Sequence, residues 1–254
     1  MAYHWRLLRT GFNNAFYNMG LDQAILEQVA ATKVPPTLRF YGWTPPAISI
    51  GYFQGMQEEV DLAACRHHGV DTVRRITGGG AVFHQAEVTY SIVLPLDHPL
   101  ADRQILASYG RLCQGIVAGL AQLGITAEFA PINDIVVGGK KISGNAQTRK
   151  LGCILQHGTI LLDVDVDLMF TLLQVPSEKA RGKAIADVKE RVTSLSHILG
   201  RPVAFETVSA ALESGFSQAL DLVYEVQEPS FAETDRAQDL ARTRFADETW
   251  NLKR

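Results

Sequence analysis

Cysteine is scarce in this chain: there are three in 254 residues. Cys65, Cys113 and Cys153 stand far apart, without metal-type spacing and in odd number. This excludes a disulfide framework and fits a reducing compartment. No apolar run is long enough to span a bilayer, and the opening stretch MAYHWRLLRTGFNN lacks the apolar core of a signal peptide. A cytoplasmic location with no membrane partner is therefore expected. A basic excess is missing too. Lys and Arg number 24 against 27 Asp and Glu, a formal net charge of −3, which argues against a nucleic-acid partner. Repeats and low-complexity segments are absent, and no Gly-Lys-Ser/Thr sequence marks a P-loop.

What is present suits an ordinary packed core, with hydrophobic residues at 46% and charged residues at 20%. The basic residues cluster at 140–150 and 179–191, a pattern that suits an anionic small ligand or an acidic protein surface. Apolar periodicity predicts a helix from Asn18 to Val29, with Met19, Ala24, Ile25, Leu26 and Val29 as its stripe. TLRFYGW and AISIGYF read as strands around a Pro45-Pro46 turn, and Asp61 caps a short helix to His68. DTVRRI and the alternating EVTYSIVLPL are further strands. The longest helical pattern runs from Asp102 to Leu123 and ends at Gly124.

TAEFA, DIVVGGKKISG and GCILQHGTILLDV follow as strands, the second folded on itself at Gly138-Gly139. Helices are predicted at Asp165–Leu173, Thr193–Leu199, Phe205–Leu220 and Ala232–Phe245. Strands thus dominate to about residue 164 and helices after it. Several turns are too short for crossovers, so the fold class is α/β (α+β), a mixed, largely antiparallel sheet flanked by helices. With no Pro/Ser-rich linker, residues 1–254 read as one domain.

Three segments carry candidate chemistry. In RRITGGGAVFHQ, three glycines after a strand let backbone N–H groups approach an anion, and Arg74 and Arg75 suit carboxylate or phosphate. In NDIVVGGKKISGNAQTRK, Asn133 and Asp134 offer oxygen ligands of the kind Mg²⁺ takes beside nucleotide phosphates. Period-two alternation places Ser143 and Asn145 on the face of Lys141, with Lys140 and Ile142 opposite. A lysine facing a pocket there would stabilise charge on a carboxyl and a phosphoryl group. In QHGTILLD, His157 lies within a strand, where most histidines are simply packed.

Taken in order, RRITGGGAVFH, ND…KKISGNAQTR and QHGTILL resemble the lipoate–protein ligase A family of the biotin/lipoate ligase superfamily, from about Leu8 to the terminal ETWN segment. The resemblance implies that lipoate, or octanoate, is activated by ATP and Mg²⁺ as acyl-AMP and passed to a lysine of a lipoyl-domain carrier protein. It implies Lys141 as the catalytic lysine. Arg75, Gly78, Gly79, Gly80, His84 and His157 would surround the acyl group. Asn133, Asp134, Ala81, Val82 and Phe83 would serve the nucleotide, with Asp134 on Mg²⁺. Many such ligases carry a C-terminal accessory domain; none follows here, so a separate small accessory subunit is an expected partner.

HQAEVTYS and RFYGWTPPAISIGYFQ look more like the octanoyl transferases of the same superfamily. Those take octanoyl groups from acyl carrier protein through a cysteine thioester. Their cysteine lies either in an insertion before the hairpin or in a Pro-Cys-Gly segment. Here the matching stretches AEFAPINDIVV and LLQVPSEK hold none. Cys113 reads as a packing residue in its helix, Cys65 lies on the short helix, and Cys153 starts the strand after the hairpin. The ligase is therefore placed first, the transferase second, and a non-catalytic carrier-binding module third. A biotin–protein ligase is set aside because its glycine loop is usually GRGR-like.

Overall fold

The computed structural model describes residues 3–174 and 178–253. The chain opens with strand β1 (Tyr3–Asn13) and helix α1 (Ala15–Ala30), whose N-terminus is capped by Asn14 accepting from the Tyr17 N–H at 2.9 Å. Strands β2 (Thr37–Trp43) and β3 (Ala47–Ile50) follow, then the short helices α2 (Met56–Glu59) and α3 (Leu62–His67). Next come β4 (Asp71–Arg74), β5 (Val82–His84) and β6 (Glu87–Pro95). Helices α4 (Ile105–Leu112) and α5 (Gln114–Gln122) precede β7 (Glu128–Ala130), β8 (Asp134–Val137), β9 (Lys140–Lys150) and β10 (Cys153–Leu161). The remainder comprises α6 (Val166–Leu172), α7 (Glu178–Arg191), α8 (Leu195–Leu199), α9 (Phe205–Leu220), β11 (Leu222–Gln227), α10 (Phe231–Leu240) with a π-helical turn to Phe245, and α11 (Glu248–Asn251). Among the described residues, no helix is long and apolar enough to cross a membrane.

Eight strands form one sheet in the order β11-β1-β2-β6-β10-β9-β8-β7. Strand β1 pairs parallel with β2 and β11, and the other neighbours pair antiparallel, as the mixed sheet of the sequence reading requires. Alternation along the central strands separates two cores. Leu38, Phe40, Tyr90, Ile92 and Leu94 pack with Ile116 and Leu120 of α5 and Leu212 and Phe216 of α9. Leu8, Tyr41, Val93 and Leu155 pack on the opposite face with α1 and α10. A second sheet, β4-β3-β5, lies beside that second face, and its outer side packs Ile48, Ile50 and Phe83 against α2, α3 and α6.

Several expectations need correction. The 102–123 helix is two helices hinged at Cys113, which ends α4 and precedes α5. AISIGYF stops being a strand at Ile50, because Gly51 turns the chain against the glycine loop. The part after residue 164, read as dominated by helices, also contains β11, which completes the sheet beside β1. Helix α7 occupies much of the basic 179–191 segment, and β1, β5 and β11 were not read as strands from sequence. Helix α1 has no single apolar stripe. It is enclosed between sheet and helices, so Asn18 and Asp22 are as buried as Leu21 and Ile25.

Candidate active site

The polar side of the central strands provides the floor of the site. Along β6, Val88, Tyr90 and Ile92 enter one core while Glu87, Thr89 and Ser91 point the other way, all of them buried. Above them, α1 contributes Asp22, which accepts from Arg39 (2.7 Å), Ser91 (2.8 Å) and Tyr41 (2.9 Å). Burial pushes the Asp22 carboxyl up, but Arg39, His157 and Ser91 outweigh it and hold the group below its usual value. His157 stands 3.1 Å from Asp22 through Nδ1 and 2.7 Å from the Thr77 hydroxyl through Nε2. Burial lowers its pKa more than Asp22 raises it. The neutral ring donates to Asp22 and accepts from Thr77, so it fastens the start of the glycine loop to α1.

A second chain of contacts runs through the small sheet. The Trp43 indole N–H donates to Thr89 (2.8 Å), and Thr89 donates to Glu87 (2.7 Å). Glu87 meets His84 Nδ1 at 2.6 Å, and His84 Nε2 meets the Ser49 hydroxyl at 2.6 Å. The His84 ring stacks on Trp43 at 3.9 Å. Arg75 ends the chain, with Nη1 donating to the Ser49 carbonyl and hydroxyl (both 2.7 Å) and Nη2 to the carbonyls of Gly78 (3.0 Å) and Gly80 (2.9 Å). These four acceptors carry no net charge, and burial lowers the guanidinium to about 10. Arg75 therefore clamps the glycine loop and lends it positive potential.

Between the two sheets lies a narrow cleft of about 140 Å³. Its walls include Trp43, Ser49, His84 and His157, with Gly79, Gly80, Ala81 and Val82 along one side and Asn133 and Lys141 along another. Arg75 borders it as well. Gly78 does not line it; its carbonyl serves Arg75. The Phe83 side chain points into the core behind the small sheet, because β5 alternates and places Val82 and His84 on the cleft side. Arg74 is corrected too. Its guanidinium donates to the carbonyls of Tyr52, Trp250 and Asn251, and its backbone N–H donates to the Asn251 side chain, so it anchors the ETWN segment.

Lys141 reaches this cleft by a route that strict alternation does not give. The Gly138-Gly139 turn forms as expected, both glycines having positive φ. However, Ile135 faces Ser143 while Val136 faces Lys141, so β9 holds one extra residue there. This bulge sends Ile142 into the core and shifts Lys141 onto the cleft side, where Gly144, Asn145 and Ala146 also line the cleft. Ser143 is buried and does not line the cleft. Asn145 turns its carbonyl oxygen to the Tyr90 hydroxyl at 2.7 Å, in space that Gly158 leaves open. Its amide donates to the Asn133 carbonyl at 2.9 Å, and Asn133 donates back to the Asn145 carbonyl.

Lys141 Nζ lies 2.7 Å from Asp134 Oδ1, both side chains being partly exposed. The contact is an ion pair without hydrogen-bond geometry, since Asp134 Oδ1 is buried with no hydrogen-bond partner. The described residues contain no group of three His, Cys, Asp or Glu able to hold a metal. Asp134 would hold Mg²⁺ only together with the phosphates of a bound nucleotide.

None of the cysteines lines the cleft. Cys153 belongs to the core under α1, about 13 Å along β10 from His157 at ~3.3 Å per residue. Cys65 packs behind the small sheet, and Cys113 lies on the far face of the large sheet beside Gln156. Burial raises all three thiols, Cys65 to about 11 and Cys113 to about 12. The LLQVPSEK comparison falls partly at 175–177, outside the described residues.

Sequence reasoning missed Asp22, Arg39, Ser49, Thr77 and Glu87 as parts of this site. The alternation of Glu87, Thr89 and Ser91 with Val88, Tyr90 and Ile92 was a usable signal for a polar strand face.

Comparison with known proteins places the arrangement. Octanoyltransferase LipM of Geobacillus kaustophilus is 37% identical, covering 98% of both chains. That alignment runs over 273 positions, more than the 254 residues available, so LipM holds residues without a counterpart here. Among solved structures, the bi-partite lipoate protein ligase of Thermoplasma acidophilum superposes with a TM-score of 0.88 at 30% identity, covering 98% of this chain and 96% of the other. A lipoate-protein ligase A bound with ATP gives 0.82 at 30% identity, covering 99% of each. The sequence profile of the lipoyl protein ligase A/B catalytic domain matches residues 14–217, and the chain belongs to that family.

Proposed function

We propose that this protein forms an amide between an eight-carbon acyl group, octanoyl or lipoyl, and a lysine of a lipoyl domain. The cleft supports this: a narrow space between two sheets leads to Lys141, and Arg75 lends positive potential beside it. The protein's contribution is positioning and charge stabilisation at the acyl carbonyl.

Two acyl donors compete. The relative named an octanoyltransferase favours transfer of an octanoyl group from acyl carrier protein, the reading that the sequence placed second. Against a cysteine thioester stands one observation: the three thiols are buried in separate cores and none borders the cleft. A thioester route needs an accessible thiolate. On that ground we place ATP-dependent activation of lipoate or octanoate first, with ATP bringing its own Mg²⁺. Solved neighbours described with ATP and with lipoic acid support it. The archaeal neighbour's bi-partite description supports a separate accessory subunit.

Mass spectrometry of an apo lipoyl domain incubated with this protein decides between the donors. A lipoyl gain that requires ATP–Mg²⁺ supports the ligase. A gain only from octanoyl acyl carrier protein replaces it with the transferase. Inactivity of the chain alone in the ATP assay, restored by a small second subunit, would support the bi-partite form.

A further inference from the structure

The amide-forming step asks a cleft bordered by two cations, Lys141 and Arg75, to admit a third, the acceptor lysine's ammonium. Like charges brought into one cleft repel unless an anion compensates. The residues lining the cleft include no aspartate or glutamate. Asp22 and Glu87 lie behind the walls, buried and bound to His157 and His84. Asp134 is different: it is partly exposed, and it holds Lys141 Nζ at 2.7 Å. Gly144 lies against that ion pair, a Cβ there standing 2.9 Å from Lys141 Nζ and 3.8 Å from Asp134 Oδ1.

We infer that Asp134 is the docking carboxylate for the acceptor ammonium, and that its arrival exchanges one ammonium for another. The acceptor lysine takes the place of Lys141 on Asp134, and Lys141 is released toward the acyl carbonyl. The exchange keeps Asp134 paired with one ammonium throughout, and the freed Lys141 ammonium faces the acyl carbonyl, where negative charge develops as the amide forms. This is a binding step that precedes acyl transfer. It rests on the lysine-acylating function proposed above but holds for either donor, and it gives Asp134 a role other than the Mg²⁺ ligand expected from sequence.

The test compares wild type with Asp134→Asn and Asp134→Glu, using whichever donor proves active. Two acceptors are offered in parallel: an apo lipoyl domain, and hydroxylamine, a nucleophile uncharged near neutral pH. The expected result for Asp134→Asn is a rise of about ten- to hundredfold in KM for the lipoyl domain, well beyond any change in hydroxamate formation. Asp134→Glu should recover part of the difference. Equal losses with both acceptors would overturn the inference and return Asp134 to donor activation. So would an unchanged KM for the lipoyl domain. A wild-type chain that acylates no lysine from either donor overturns the functional reading, and this inference with it.

Discussion

Gly51 lies so close to Gly79 that a Cβ built on Gly51 would stand 2.0 Å from the Gly79 carbonyl oxygen. The turn after β3 and the glycine loop therefore share one backbone-to-backbone contact. Gly51→Ala must push the loop away. The expected cost is about 1–3 kcal/mol of stability, together with a loss of acyl transfer larger than the fall in folded fraction explains. Thermal unfolding and activity measured on the same preparation check this. Wild-type activity in the variant would show that the loop tolerates displacement.

Arg6 and Glu233 form a fully buried two-pronged ion pair, with Nη1 to Oε2 at 2.8 Å, linking β1 to α10. Glu233→Gln leaves the guanidinium buried without its counter-charge, at an expected cost of about 3–5 kcal/mol. Urea unfolding measures it; a loss under about 1 kcal/mol would contradict the account.

Stability should fall in two stages on acidification. Burial keeps His157 less basic when folded than when unfolded, so the unfolded chain gains protons first as pH drops below about 6.5. The carboxyls of Asp22 and Glu233, held below their ordinary values by Arg39 and Arg6 against the effect of burial, are fully stabilising above about pH 4.3. Their contribution is lost as pH falls through the lowered folded values. In His157→Asn the first stage should shrink while the second stays. Denaturant midpoints across this range test the assignment.

Lys141→Ala should lower acyl transfer by about 10²–10³-fold and leave the fold intact, because the side chain is 43% exposed and its ion pair lies at the cleft edge. Circular dichroism and the lipoyl-domain assay separate the two effects. Normal transfer would mean that another group stabilises the carbonyl.

The variant with Cys65, Cys113 and Cys153 all changed to alanine should still acylate its acceptor. Abolished transfer in one of the folded single variants would restore a thioester intermediate and identify its sulfur.

Legibility followed periodicity where periodicity was simple. The glycine loop, the Gly138-Gly139 hairpin and the strand holding His157 were visible because turn chemistry and alternation agree there. Asn145 lines the cleft with Lys141 as expected, but Ser143 does not, because a bulge adds one residue, which changes parity and leaves no mark in composition. Strand β1 was hidden by its burial on both faces. Leu7 and Leu8 enter opposite cores, and Arg6 is buried with a partner 227 positions away. Arg74 and Arg75 look alike in sequence, but Arg74 ends β4, Arg75 follows it, and the two guanidinium groups meet different partners. One therefore holds the ETWN segment while the other braces the glycine loop.

The placement of β1 also bears on how the protein is made. This strand lies between β2 and β11, so one of its two edges finds its partner only when Leu222–Gln227 has been synthesised. Until then the strand holds an unpaired edge, and Trp5, Leu7 and Leu8 lack the α9 and α10 residues that complete the cores on either side. Such edges invite pairing with other chains. Pairing β1 with β11 makes completion of this sheet depend on residues more than 200 positions apart in the sequence.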